Sequence, residues 1–120
     1  MKSSSIIGKG SSATVFLVKD QNLYYAVKQL KRRKESKKEY VKRISQEFCI
    51  GSCLDHEHIV KTIDLFYTRS RDEWSLVMEY CSGGDMLREI LSRELSLKEC
   101  NNYFKQVMDG VRYMCKYQNI

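Results

Sequence analysis

Two glycines and a lysine carry the clearest chemical potential in this chain. Gly8-Lys9-Gly10-Ser11-Ser12-Ala13-Thr14-Val15 is a glycine-rich turn. Lys28 lies thirteen residues past Val15, inside the apolar run Tyr25-Ala26-Val27-Lys28-Gln29-Leu30. Glycine lets backbone N–H groups approach phosphate oxygens, and a lysine facing the same space adds a point charge. The pattern fits a phosphate cradle. A hairpin turn with glycines at positive φ would account for the glycines equally well. The lysine is harder to assign to structure alone, because apolar strands keep charge at their ends or on a wet face.

These residues need elements to hold them. Ser5 to about Val18 reads as two strands joined by the glycine turn, and Leu23 to Leu30 as a third after the turn Asp20-Gln21-Asn22. A helix follows, with Val41, Ile44 and Phe48 at helical spacing and Gly51 at its weakening end. Ile59 to Tyr67 and Trp74 to Tyr80 read as two further strands around a polar loop. Ser82-Gly83-Gly84 breaks the sheet, and Asp85 is placed to cap a short helix through about Ser92. Ser96-Leu97-Lys98-Glu99 forms a capping box for a long last helix. Its stripe of Leu97, Cys100, Phe104, Val107, Val111 and Met114 suits a core better than a ligand site. The fold class is α+β: five strands, one helix inserted after the third, then two helices.

Composition narrows the function. The 120 residues are 42% hydrophobic and 30% charged, as expected of one globular domain. No apolar run approaches the roughly 20 residues of a membrane span, and Met1-Lys2-Ser3-Ser4-Ser5 leads into a strand without a signal-peptide core. A cytoplasmic location is expected, with the nucleus as an alternative. Cys49, Cys53, Cys81, Cys100 and Cys115 are an odd set and read as reduced, partly buried thiols. Cys49, Cys53, His56 and His58 are four conceivable zinc ligands. Structural zinc sites put a longer loop between ligand pairs, so a helix and loop explain them better and no metal ligand is assigned. The net charge of +6 is concentrated, with eight of twenty-one basic residues in Lys31–Lys34, Lys37, Lys38, Lys42 and Arg43. A solvated helix face accounts for this; a nucleic-acid patch or an acidic partner is the alternative.

Taken together, the motifs resemble those of the protein kinase family from about Ile6 onward. Gly8-x-Gly10-x-x-Ala13-x-Val15 is similar to the glycine-rich loop, with alanine at the third glycine. Ala26-Val27-Lys28 resembles the strand motif whose lysine holds the α- and β-phosphates. Such a lysine needs a carboxylate, and Glu47, nineteen residues on, is the matching candidate; Glu35 and Glu39 read as surface glutamates. Leu76-Val77-Met78-Glu79-Tyr80-Cys81-Ser82-Gly83-Gly84-Asp85 resembles the last strand, gatekeeper and hinge. The resemblance implies Met78 at the back of an adenine pocket, with the Glu79 carbonyl and Cys81 N–H on the adenine edge. It implies Val15 and Ala26 sandwiching the ring, with Lys9 in the phosphate loop. It also implies Asp85 reaching ribose or a basic substrate residue, unless it is a plain helix cap. Catalytic roles thus fall to Lys28 and Glu47. Glu47-Phe48-Cys49-Ile50-Gly51-Ser52 further resembles fungal serine/threonine kinases that control nutrient permeases and cation uptake.

Two places depart from the family pattern. His56-Glu57-His58-Ile59-Val60 replaces a His-Pro-Asn-Ile-Val loop, which leaves that loop's rigidity unassured. Gly51 stands where a bulky apolar residue is usual, which predicts a gap in the packing behind Glu47.

The resemblance implies a kinase N-lobe and hinge over 1–81 and the start of a helical C-lobe over 82–120. The 120 residues contain no His-Arg-Asp, so no catalytic aspartate. They contain no Asp-Phe-Gly either, so the family's protein ligands for Mg2+ are missing. The implied function is the ATP-binding part of a serine/threonine kinase, which in a complete domain moves the γ-phosphate to protein hydroxyls. This chain alone is expected to be inactive. Its expected partners are ATP and a protein substrate, with a possible protein covering the 96–117 helix. A non-catalytic, pseudokinase-like fragment acting through a partner is the rival. A basic nucleic-acid binder is a third reading, predicting steep salt dependence.

Overall fold

The computed structural model describes residues 2–117, with side chains from Ser5 to Lys116. Five strands form one antiparallel sheet: β1 (Lys2–Lys9), β2 (Ala13–Asp20), β3 (Leu23–Leu30), β4 (Thr62–Thr68) and β5 (Glu73–Glu79). Their spatial order is β1-β2-β3-β5-β4, because helix α1 (Lys37–Cys53) intervenes between β3 and β4. Two more helices follow, α2 (Met86–Ser92) and α3 (Leu97–Tyr117). This is the expected α+β arrangement.

The chain divides into two compact units. The first comprises residues 1–53 and 60–80; the second comprises 54–59 and 81–120.

In the first unit, side chains alternate across the sheet. One face presents Ala13, Leu30 and Leu76 to Tyr40 and Ile44 of α1, all buried, with Phe48, Leu65, Trp74 and Met78 packed around them. The opposite face carries a smaller cluster of Val18, Val27 and Val77, edged by Phe16 and Tyr25. The sequence suggested Val41, Ile44 and Phe48 as the inward stripe of α1. Tyr40, Ile44 and Phe48 fill that role, while Val41 is exposed. Gln21 and Asn22 both adopt positive φ in the β2–β3 turn, the two-residue geometry that matches strand twist.

Helix α1 is capped at both ends. The Ser36 hydroxyl accepts from the Glu39 N–H at 3.1 Å, and Lys61 Nζ donates to the Ser52 carbonyl at 3.0 Å. The cation at the C-terminus also suits the helix dipole. The helix runs through Gly51 without weakening. The anticipated gap there is absent, because β4 approaches too closely. A Cβ on Gly51 would lie 2.1 Å from Thr62 Oγ1 and 2.9 Å from its Cβ. Strand β4 begins at Thr62 and not at Ile59, because Ile59 closes a turn on the His56 carbonyl at 3.1 Å.

In the second unit, Asp85 caps α2 by accepting from the Arg88 N–H at 2.7 Å. Ser96 and Glu99 form the reciprocal capping box of α3, at 3.1 and 3.2 Å. Arg93 bridges Glu89 and Glu99, so one guanidinium joins both helices. Two hydrogen-bonded carboxylate pairings hold Arg93 protonated, above its ordinary range. The same Arg93 pairing, with the Ser96 bonds, lowers the Glu99 carboxyl to about 2. The loop 54–59 is anchored on α3. Asp55 N–H donates to the Tyr113 hydroxyl at 3.1 Å, the His56 and Tyr113 rings lie 5.1 Å apart, and Ile59 packs on Gly110. The apolar stripe of α3 is exposed, with Leu97 at 78% and Phe104 at 66%.

Candidate functional site

Strand register assembles the residues that sequence spacing singled out. Gly8 pairs with Val15, Val15 with Lys28, and Lys28 with Leu76. Directly opposed residues in an antiparallel ladder share a face. The glycine turn, Val15 and Lys28 therefore lie in one row on the face that carries α1. Ala26 lies on that face two residues before Lys28 and opposite Met78. Ala13 and Ala26 are buried, Val15 is half-buried, and Met78 packs at the edge of the core.

Lys28 Nζ meets Glu47 Oε2 at 3.5 Å, with both side chains about one third exposed. The pair joins the middle of β3 to the third turn of α1. Its position follows from α1 itself, since Ile44 and Phe48 bracket Glu47 and face the sheet. A pair this exposed contributes little stability.

The glycines are informative for what does not require them. Neither Gly8 nor Gly10 has positive φ; Gly84 is the positive-φ glycine among the described residues. A Cβ on Gly8 would meet Val15 no closer than 3.6 Å, and one on Gly10 would meet the Ala13 carbonyl at 3.8 Å. Turn strain and internal packing therefore leave both glycines unexplained. A cradle in which a phosphate group comes close to backbone accounts for them, and the residues present fit such a group. The turn is closed by Gly10 N–H to the Ala13 carbonyl at 2.9 Å. It is tied to the end of β3 through Lys31, whose N–H donates to Ser12 at 2.9 Å and whose Nζ donates to Gly10 at 3.3 Å. The Lys9 side chain is placed differently. Lys9 opposes Thr14 and lines a hollow with Phe16 and Gln29 on the outer face, away from Lys28.

The remaining candidates lie at or after the end of β5. Glu79 is occupied on two atoms: its N–H donates to the Lys61 carbonyl at 3.1 Å, and its carboxylate accepts from the Lys61 N–H at 2.8 Å. Cys81 opens a turn closed by Gly84 N–H at 3.4 Å. Asp85 is the α2 cap described above.

The structure adds two supports for Glu47 that sequence reading missed. The buried Tyr40 hydroxyl donates to the Leu30 carbonyl at 2.7 Å and accepts from the Trp74 N–H at 2.9 Å, so it spans β3 and β5. Burial raises its phenol above the ordinary range. Tyr40 and Glu47 are seven residues apart, two turns on one helix face. Arg43 forms the second support, with Nη2 on Glu35 at 2.8 Å and on the Lys31 carbonyl at 2.9 Å. That pairing lowers the Glu35 carboxyl and raises Arg43. Glu35 is thus a half-buried clamp and not the surface glutamate expected. The Ser36-x-x-Glu39 capping pattern was a usable signal for where this helix starts. All five cysteines are exposed, contrary to the partly buried thiols expected; on α1 the inward positions are taken by Tyr40, Ile44 and Phe48 rather than Cys49 or Cys53. Among the described residues, no group of three or more His, Cys, Asp or Glu could hold a metal ion.

Residues 1–120 match the protein kinase domain family. The chain belongs to that family. It is 40% identical to the serine/threonine-protein kinase HAL4/SAT4 of Saccharomyces cerevisiae over 91% of its own length and 20% of that protein's. It is 36% identical to the nitrogen permease reactivator protein of the same yeast, over 95% of this chain and 15% of that protein. It is 39% identical to the serine/threonine-protein kinase hal4 of Schizosaccharomyces pombe, over 91% and 18%. The chain therefore spans about a fifth or less of these relatives. Within the family, the sheet with α1 corresponds to the N-lobe, and α2 with α3 to the start of the C-lobe.

Proposed function

We propose that this chain is the ATP-holding part of a serine/threonine protein kinase domain, with residues 1–81 as N-lobe and hinge and 82–120 as the beginning of the C-lobe. The observation that carries the reading is the Lys28–Glu47 pair, in the same row as Val15 and Gly8, beside a turn whose Gly8 and Gly10 neither turn geometry nor packing demands. Backbone N–H groups of Gly8 to Gly10 cradle the phosphates. Lys28 holds the α- and β-phosphates, and Glu47 orients it. Val15 and Ala26 cover the adenine ring, with Met78 behind it. The Glu79 carbonyl and Cys81 N–H take the adenine edge. Asp85 keeps one carboxylate oxygen outside its capping bond for ribose or a basic substrate residue. Bound ATP supplies the phosphoryl group, which a complete domain passes to a protein hydroxyl with Mg2+ as cofactor. The family's motifs for that metal and for the catalytic aspartate are not among these 120 residues. A reducing compartment, cytoplasm or nucleus, suits cysteines with no disulfide among the described residues.

Calorimetric titration with ATP tests the reading. Wild type is expected to bind weakly, and Lys28→Ala to lose that binding. Equal, tight binding by both overturns the role of Lys28. The purified 120-residue polypeptide is expected to transfer no phosphate to a peptide, and robust transfer overturns that part.

One observation favours a second reading. The exposed apolar stripe of α3 suits a fragment that acts by docking a protein partner. Under that reading, Phe104→Glu abolishes partner capture while Lys28→Ala leaves it intact.

A further inference from the structure

The outer face of the sheet, opposite Lys28, carries an apolar hollow that the kinase reading does not use. Its volume is about 390 Å³, and it is lined by Phe16, Val18 and Val27 on the floor, with Phe66 beside them. Val18 and Val27 are buried although no helix of this unit covers that face, because Phe16 and Tyr25 pack beside them. Phe66 is 37% exposed at the rim.

Charge beside the hollow is in basic excess. A contiguous basin of about 660 Å³ shares Phe16 and Gln29 and is lined by Lys9, Lys31, Arg32 and Arg71, against Asp72 and Glu73. Arg32 lies 3.7 Å from Asp72, which also accepts from the Tyr67 hydroxyl. That carboxylate is spoken for, and its pairings keep it below the ordinary range. Arg71 Nη1 reaches the neutral Gln29 amide at 3.5 Å, and Lys31 Nζ a backbone carbonyl. The excess cations thus meet neutral acceptors and solvent beside an apolar floor.

We propose that this face docks an acidic peptide segment that inserts one apolar side chain. The hollow falls within the size range of side-chain and ligand pockets. Lys9, Lys31 and Arg71 supply electrostatic complementarity at its margin. A second copy of the chain is disfavoured, since it would bring the same cations together. A nucleic-acid strand would leave the apolar floor unused, as phosphate contacts dominate its affinity.

The test is fluorescence anisotropy of the full chain with a fluorescein-labelled probe peptide, Asp-Glu-Asp-Phe-Asp-Glu-Asp. Saturable binding is expected. Replacing the probe's phenylalanine by serine should weaken it about tenfold. Replacing its acids by lysines should remove it. On the protein, Lys9→Glu and Arg71→Glu should each weaken binding about threefold to tenfold, and Phe66→Ala by a similar factor. Melting curves identify any variant that fails to fold; the probe substitutions carry the test without one. Equal binding of the acidic and lysine probes overturns the proposal, as does indifference to all three protein variants. Tighter binding of a single-stranded oligonucleotide, lost in Lys9→Glu, overturns it in favour of nucleic acid. Self-association lost in Arg71→Glu overturns it in favour of a copy interface.

Discussion

The two units of this chain are held together by different physics. The sheet and α1 enclose a core: Leu30, Tyr40, Ile44 and Leu76 are each no more than 3% exposed. Helices α2 and α3 bury little. No residue of α2 is buried, and Leu97, Phe104 and Val107 of α3 lie open. What orders this second unit is capping, the Arg93 bridge and the anchoring of loop 54–59 on Tyr113 and Gly110. Burial is worth about 1.5–3 kcal/mol for a large apolar side chain, whereas exposed ion pairs contribute about 0–1 kcal/mol. The lesson is that the Lys28–Glu47 pair sits on the unit with a core.

The sharpest way to break that comparison is to delete the same kind of bulk from each unit. Ile44→Ala should destabilise the sheet unit by about 2–5 kcal/mol, because the cavity cannot fully collapse. Phe104→Ala should change stability by no more than about 0.5 kcal/mol, because its ring is already in water. Urea denaturation of the two variants decides, and equal losses would end the distinction.

Gly51→Ala should cost about 1–3 kcal/mol by overpacking α1 against β4, with partial recovery on adding Thr62→Ala. The same denaturation series measures it. An unchanged midpoint would show that the helix shifts freely on the sheet. Tyr40→Phe should cost about 1–3 kcal/mol, since it leaves the Leu30 carbonyl and Trp74 N–H without their buried partner. Hydrogen exchange at the Trp74 amide should quicken. Unaltered exchange would remove Tyr40 as a support for the helix that carries Glu47.

The smallest effect belongs to the second unit. Glu99 is lowered to about 2 from an ordinary 4.5. A depressed carboxyl stabilises the fold above its unfolded value and loses that contribution as pH falls. The N-terminal turn of α3 should therefore loosen between about pH 4.5 and pH 2, while the sheet core remains. Carboxyl titration by NMR tests this, and Arg93→Gln should move Glu99 back toward its ordinary value. Titration unchanged by that substitution would remove the Arg93 bridge from the comparison.

Much of this is legible in the sequence. The strands of Leu23–Leu30 and Glu73–Glu79, the Asp85 cap and the Ser96–Glu99 box all follow from patterns within a few residues. The spacing of Lys28 and Glu47 was legible for the same reason, as it counts residues along known elements. Other features depend on which distant residues meet. Val41 was placed on the inward stripe of α1, where Tyr40 lies instead, because helical spacing locates a face only to within one residue. Glu35 looked like surface until Arg43, eight residues later, folded onto it.

The sequence by itself determined the elements, their order, their caps and the family, because those rest on local periodicity, hydrogen bonds to near neighbours and the spacing of motif residues. The tertiary structure decided the rest. It put Lys9 on the outer face and Lys28 on the inner one, and set the Tyr40 hydroxyl between two strands. It required glycine at position 51 and left the α3 stripe uncovered. Each of these depends on how closely chain segments far apart in sequence approach one another, and local pattern does not encode that distance.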